Sequence, residues 1–217
     1  MNKLPKFTTI LISMASIFII VSCAYYKSVK EGLTNNNTVI LMGDSVLNNA
    51  NYVPIGNSVY DNLKQKISKV INVAEDGATI NNLYSQLDKI SINLNNSDTY
   101  IFISAGGNDI LRNSTLNVTG LFDTYMNFLQ ALRTKLGSSK INIMNLYQPT
   151  NPRFQSYKSS IEQWNELINK SSNKIGEMYN VVDLHGLLTT PEDFVYDIEP
   201  SKTASNKIAN LIALTST

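Results

Sequence analysis

Thr38-Val39-Ile40-Leu41-Met42-Gly43-Asp44-Ser45 is the stretch that decides how this chain folds. Five β-branched or apolar residues run without alternation and stop at a glycine, after which two short polar side chains follow. An unbroken run of this length predicts a strand covered on both faces, the kind found in parallel sheets. The glycine predicts a tight turn at its carboxyl end, with the Ser45 hydroxyl presented beyond it.

Four further runs of the same character follow at Val70-Ile71-Asn72-Val73, Tyr100-Ile101-Phe102-Ile103-Ser104, Ile141-Asn142-Ile143-Met144-Asn145 and Tyr179-Asn180-Val181-Val182-Asp183. Helical spacing fills 57–68, 79–90, 119–136 and 154–175, and again 201–214. Ile80, Leu83, Tyr84, Leu87 and Ile90 recur at i, i+3, i+4, i+7 behind Thr79 as N-cap. Leu121, Tyr125, Phe128, Leu129, Leu132 and Leu136 repeat the pattern, and the single Trp164 falls on the packing face of the fourth helix. Strands alternating with helices of this length predict βαβ units. Residues 38–217 therefore read as one three-layer α/β/α domain with a five-stranded parallel sheet and no internal repeat.

Ligands of open parallel sheets bind beyond the carboxyl ends of the strands. After the first strand comes Gly43-Asp44-Ser45, after the second Glu75-Asp76-Gly77, and after the third Gly106-Gly107-Asn108-Asp109. A serine hydroxyl facing backbone N–H groups and a side-chain amide suits the stabilisation of a tetrahedral oxyanion. In order and spacing these turns resemble the blocks of the SGNH (GDSL) hydrolase superfamily, and the five-strand alternation fits its flavodoxin-like fold. The resemblance implies that Ser45 attacks an ester carbonyl. It also implies an oxyanion hole of the Ser45 N–H, the Gly77 N–H and the Asn108 side chain, with Asp44 and Asp109 bracing the loops.

The family's last block, Asp-x-x-His before a proline, is not matched. Here the stretch reads Val195-Tyr196-Asp197-Ile198-Glu199-Pro200-Ser201. Anchoring on Pro200 puts Glu199 where the histidine belongs and Tyr196 where the aspartate belongs. Starting from Asp197 puts Pro200 at the histidine position. Glu199 thus enters as an atypical base, or the partner of one, with Asp197 as a supporting carboxylate. An unperturbed glutamate, with a pKa of about 4.3, accepts a serine proton poorly. Burial raises that value and makes the group serviceable. The sole histidine, His185, leaves the fifth strand at the same edge of the sheet. It is expected to be a surface or helix-capping residue, with Asp183 bonding loop backbone; a substitute base is the alternative. Tyr147-Gln148-Pro149 either lines the site or forms a turn, and Tyr52, Val53 and Pro54 either shape an acyl pocket or stand outside it.

Composition narrows the class of function. The 217 residues are 43% hydrophobic and 16% charged, as expected of a globular domain. Setting aside Lys3 and Lys6 of the leader leaves 16 basic against 17 acidic residues, and no basic stripe argues for nucleic acid. Residues 1–22 read as a signal peptide or anchor: Lys3 and Lys6 precede an uncharged run from Phe7 to Ser22. That run is shorter than the roughly 20 apolar residues a span needs. Ile20-Val21-Ser22-Cys23 resembles a bacterial lipobox, which implies lipidation of Cys23 as the mature N-terminus. An uncleaved anchor and an ordinary cleaved signal are the alternatives. Residues 23–37 read as a tether, so the domain is expected at the cell envelope, membrane-attached and facing outward. One cysteine excludes an intrachain disulfide. One histidine and scattered carboxylates give no metal-ligand spacing, and no cofactor motif is present.

Two classes of function follow. One is a membrane-tethered hydrolase of carboxylic esters, with a small-molecule or polysaccharide ester, a lipid or a thioester as substrate. The other is a binding or structural lipoprotein that keeps the fold without turnover. An acyltransferase on the same fold is a third reading.

Overall fold

The computed structural model describes residues 37–113, 115–174 and 179–217. The signal segment, Cys23 and the tether up to residue 36 lie outside the described residues. Asn37 begins the described domain, its side-chain amide donating to the Ser216 carbonyl at 2.6 Å. Among the described residues, no helix is long and apolar enough to cross a membrane.

Five parallel strands form the sheet: β1 (Thr38–Gly43), β2 (Lys69–Asn72), β3 (Thr99–Ser104), β4 (Lys140–Met144) and β5 (Asn180–Val182), in the order β2-β1-β3-β4-β5. All five sequence runs are strands. The helices are α1 (Val59–Lys64), α2 (Leu83–Asp88), α3 (Gly107–Arg112), α4 (Val118–Lys135), α5 (Lys158–Lys174) and α6 (Lys202–Thr215). Five of them answer to the expected helical stretches, with shortened or shifted ends. The 79–90 stretch splits into a 3₁₀ turn at Ile80–Asn82 and α2, and the start of 154–175 is a 3₁₀ turn at Pro152–Tyr157. Thr79 stands at the expected N-cap, where its N–H and hydroxyl both donate to Asn82 Oδ1 at 2.8 Å. The addition is α3, which begins inside the Gly106-Gly107-Asn108-Asp109 turn itself.

Alternation along the strands builds the three layers. Ile40 and Met42 of β1, with Ile101 and Ile103 of β3, pack against the helices from α2 to α5, where Trp164 is fully buried. Val39 and Leu41, with Tyr100 and Phe102, face α1 and α6. Both faces of each central strand are thus removed from water, which is why these segments read as continuous apolar runs. The chain passes from β1 to β2 on one side and then returns to β3 on the other. That reversal opens a crevice between the carboxyl ends of β1 and β3, where Gly43 pairs with Ser104.

A small antiparallel pair, β6 (Phe194–Val195) and β7 (Glu199–Pro200), precedes α6. Its turn places Tyr196 (φ 48°) and Asp197 (φ 71°) in the left-handed region. Residues other than glycine adopt that region uncommonly.

Candidate active site

Gly43 is the hinge of the Ser45 turn. Its φ is +126°, and a Cβ there would lie 1.9 Å from the Ser104 carbonyl oxygen, so only glycine lets β1 and β3 close here. Gln86 of α2, fully buried, holds the same residue from the other side. The Gly43 N–H donates to its Oε1 at 2.7 Å and its Nε2 donates to the Gly43 carbonyl at 2.8 Å. Beyond the hinge, the Ser104 hydroxyl and the Val46 N–H donate to Asp44 Oδ1 at 2.9 and 3.1 Å. Asp44 therefore braces two loops, as its place in the motif implies. Burial drives its pKa up to about 7, against the lowering effect of those hydrogen bonds, and the nearby Glu199 charge adds to the rise.

The third turn is set by a second close approach. Gly106 has φ +97°, and a Cβ would stand 2.6 Å from the Trp164 ring. Asn108 follows, its Nδ2 donating to the Ala78 carbonyl at 3.0 Å, which joins the second and third turns and leaves the other amide hydrogen for a ligand. Asp109 makes the parallel tie by accepting from the Ile80 N–H at 3.2 Å, and burial holds its pKa above the usual range. Arg112 closes the same joint, donating to the Gly77 carbonyl at 2.8 Å. Among the described residues, neither the Ser45 nor the Gly77 N–H is taken by another protein acceptor.

Ser45, Asn108 and Glu199 line one cavity at the β1/β3 crevice, together with Tyr147 and Pro149 from the loop after β4. Glu199 Oε2 is buried there without a hydrogen-bond partner. Burial raises the Glu199 pKa; a polar contact with the Ser45 hydroxyl partly offsets this, and the Asp76 charge adds to it. The hairpin is held in place by the Tyr147 hydroxyl, which donates to the Ile198 carbonyl at 2.8 Å. It is also held by Asn49, whose Nδ2 donates to the Pro200 carbonyl at 3.1 Å and to Ser205 Oγ at 2.6 Å.

Other expected residues lie elsewhere. Asp197 does not face Glu199: it is exposed and accepts from Asn151 Nδ2 and Arg153 Nη1, each at 2.8 Å. The left-handed turn points it outward, so it braces a surface loop and not a base. His185 is exposed and lines a different cavity with Asp183, Glu162 and Glu166. Asp183 accepts from Asn145 and from the Gly186 N–H at 2.7 and 3.1 Å, the structural use expected of it. Tyr52, Val53 and Pro54 are not in the wall of the Ser45 cavity; the Tyr52 hydroxyl instead donates to Asp76 at 2.6 Å.

Gln86 and Asn49 were not singled out from the sequence. Gln86 carried a signal, since it is a polar residue on the apolar face shared by Leu83, Leu87 and Ile90. Asn49 was hidden by the abundance of asparagine.

A family model for GDSL-like lipase/acylhydrolase matches residues 39–212. The chain belongs to that family. Membership supports an ester-hydrolase function for this GDSL-like domain. Solved structures agree on its fold. A lipolytic protein of the G-D-S-L family from Veillonella parvula aligns at 19% identity and TM-score 0.67, over 82% of this chain and 96% of that one. A lipase/acylhydrolase from Enterococcus faecalis gives 18% and 0.64, over 82% and 94%. A psychrotrophic esterase from Pseudoalteromonas sp. gives 20% and 0.55, over the same shares. A search of the curated proteins finds no match.

Proposed function

We propose that this domain is a serine ester hydrolase in which Ser45 is the nucleophile and Glu199 replaces the family's histidine as base. The observation that carries the reading is the unpartnered, buried Oε2 of Glu199 in the cavity that Ser45 and Asn108 share. A carboxylate desolvated in this way binds a proton more readily than one in water. Ser45 Oγ attacks the carbonyl carbon as its proton passes to Glu199. The carbonyl oxygen becomes an oxyanion facing the Ser45 N–H, the Gly77 N–H and Asn108 Nδ2. Collapse expels the alcohol with the proton from Glu199 and leaves an acyl-serine. Water, deprotonated by Glu199, then attacks the acyl carbonyl, and collapse breaks the bond to Ser45 Oγ, which takes the proton back from Glu199 as the acid leaves.

Glu199 works as a base only when ionised. Activity should therefore fall as pH drops through its raised pKa, at a higher pH than an ordinary glutamate would give. The test is labelling by an activated phosphonate and hydrolysis of nitrophenyl esters by wild type, Ser45→Ala and Glu199→Gln. Labelling at Ser45, with turnover lost in both variants, is expected. A folded wild type that neither labels nor turns over would establish the alternative, a non-catalytic binding domain. Loss of activity in His185→Ala with Glu199→Gln unaffected would reassign the base.

The proposal extends to location: a lipid on Cys23, or an uncleaved N-terminal anchor, holds the domain at the outward face of a membrane. Mass spectrometry of the mature N-terminus tests this, acylated Cys23 being the expected finding and an unmodified Met1 ruling out cleavage.

A further inference from the structure

The shape of the Ser45 cavity, taken with the ester-hydrolase reading on which this inference rests, bears on the substrate. The cavity holds about 80 Å³, small beside the roughly 300–1,000 Å³ of sites that enclose drug-sized ligands. Away from Ser45, Asn108, Glu199 and the Asp44 carboxylate its wall is mostly apolar and comes from separate elements: Ile110 and Leu111 of α3, Leu146 after β4, and Ile161 of α5. Ile110, Leu146 and Ile161 are 1%, 7% and 5% exposed and belong to the main core, so packing fixes this wall. We propose that the apolar end is an acyl pocket for short unbranched chains, acetyl to butanoyl, with Leu111 and Ile161 setting the length accepted.

Direction follows from the chemistry. The attacked carbon carries Ser45 Oγ, the oxyanion, the leaving oxygen and the acyl chain. The leaving oxygen must lie where Glu199 can return a proton. The hairpin that carries Glu199 sets exposed Tyr196 against Tyr52, whose hydroxyl donates to exposed Asp76, so a polar, open rim lies on its outer side. The alcohol portion departs toward that rim, and the acyl chain takes the remaining, apolar direction. A polar acyl group would lose its water against Leu and Ile side chains without replacement partners. A long chain exceeds this volume and would have to run out of the apolar end.

Turnover of nitrophenyl acetate, butanoate, octanoate and dodecanoate by wild type, Ile161→Ala and Leu111→Phe tests this, with circular dichroism confirming that each variant is folded. Wild type should prefer acetate or butanoate over octanoate by at least about tenfold in kcat/KM. Ile161→Ala should shift the preference to longer chains, and Leu111→Phe should lower butanoate relative to acetate. Should Ile161→Ala fail to fold, half-buried Leu111 decides alone. Wild-type octanoate turnover equal to that of butanoate, or an unchanged profile in the folded variants, overturns the pocket and leaves the hydrolase intact. No turnover of any ester and no labelling of Ser45 would sink the hydrolase reading, and the pocket with it.

Discussion

The turn that carries Ser45 and the hairpin that carries Glu199 face the same cavity but are held by different means. The Ser45 turn is tied by buried groups: Gln86 grips Gly43 on both sides, and Ser104 and Val46 grip Asp44. The hairpin rests partly on exposed contacts, the Arg153–Asp197 ion pair at 2.8 Å and an edge-on approach of Tyr196 to Tyr52 with centroids 6.0 Å apart. Asn49 joins the two, since it follows the Ser45 turn and bonds the residue after Glu199. Buried hydrogen bonds are costly to break, whereas exposed ion pairs contribute little. Ser45 should therefore be rigid and Glu199 comparatively adjustable.

The strongest way to break that contrast is Gly43→Ala. With a left-handed backbone and a carbonyl oxygen where the methyl would go, the cost should exceed about 4 kcal/mol, and a urea melt should show a protein barely folded. Asn49→Ala comes next. It leaves the Val59 N–H and the Pro200 carbonyl without their partner in the interior, for a loss of about 2–4 kcal/mol. Because it loosens Glu199 relative to Ser45, kcat should fall more than KM changes.

Asp44→Asn sharpens the comparison through pH. Burial holds the folded Asp44 pKa at about 7 against 3.8 ordinarily, so the native state binds this proton more tightly than the unfolded chain does. Its contribution to stability is complete at low pH and declines as pH rises between those two values. The variant carries no such dependence. Its stability relative to wild type should improve from pH 5 to pH 8 by an amount on the order of a few kcal/mol, read from denaturation at each pH. The smallest effect belongs to the hairpin: Arg153→Ala should cost no more than about 1 kcal/mol and less in high salt. A larger cost would show that Glu199 is held as firmly as Ser45.

Most of the architecture was legible because each strand lies buried on both faces and each helix has one apolar stripe. Periodicity reports those environments directly. The three turns were legible for a related reason, as they sit where the apolar runs stop. The hairpin was not: strands of two residues, Phe194–Val195 and Glu199–Pro200, have no periodicity to read. Its turn uses Tyr196 and Asp197 in a conformation that neither residue type announces. Hence Asp197 looked like a companion of Glu199 and proved to face Asn151 and Arg153. The place of Tyr52 was open for another reason. Nearness to Ser45 in sequence does not place a side chain in the same cavity, and Tyr52 swings instead to Asp76.

Trp164 closes against Gly106 with Phe122 and Tyr125 each 5.5 Å away, ring to ring, and its indole nitrogen has no hydrogen-bond partner. It is also the chain's only tryptophan. The molecule thus contains a single indole fluorophore, fully buried and packed on Gly106, two residues before Asn108. Its emission should be blue-shifted in the folded state and move red on unfolding. Any ligand that disturbs the third turn would be reported from inside the protein, without a dye.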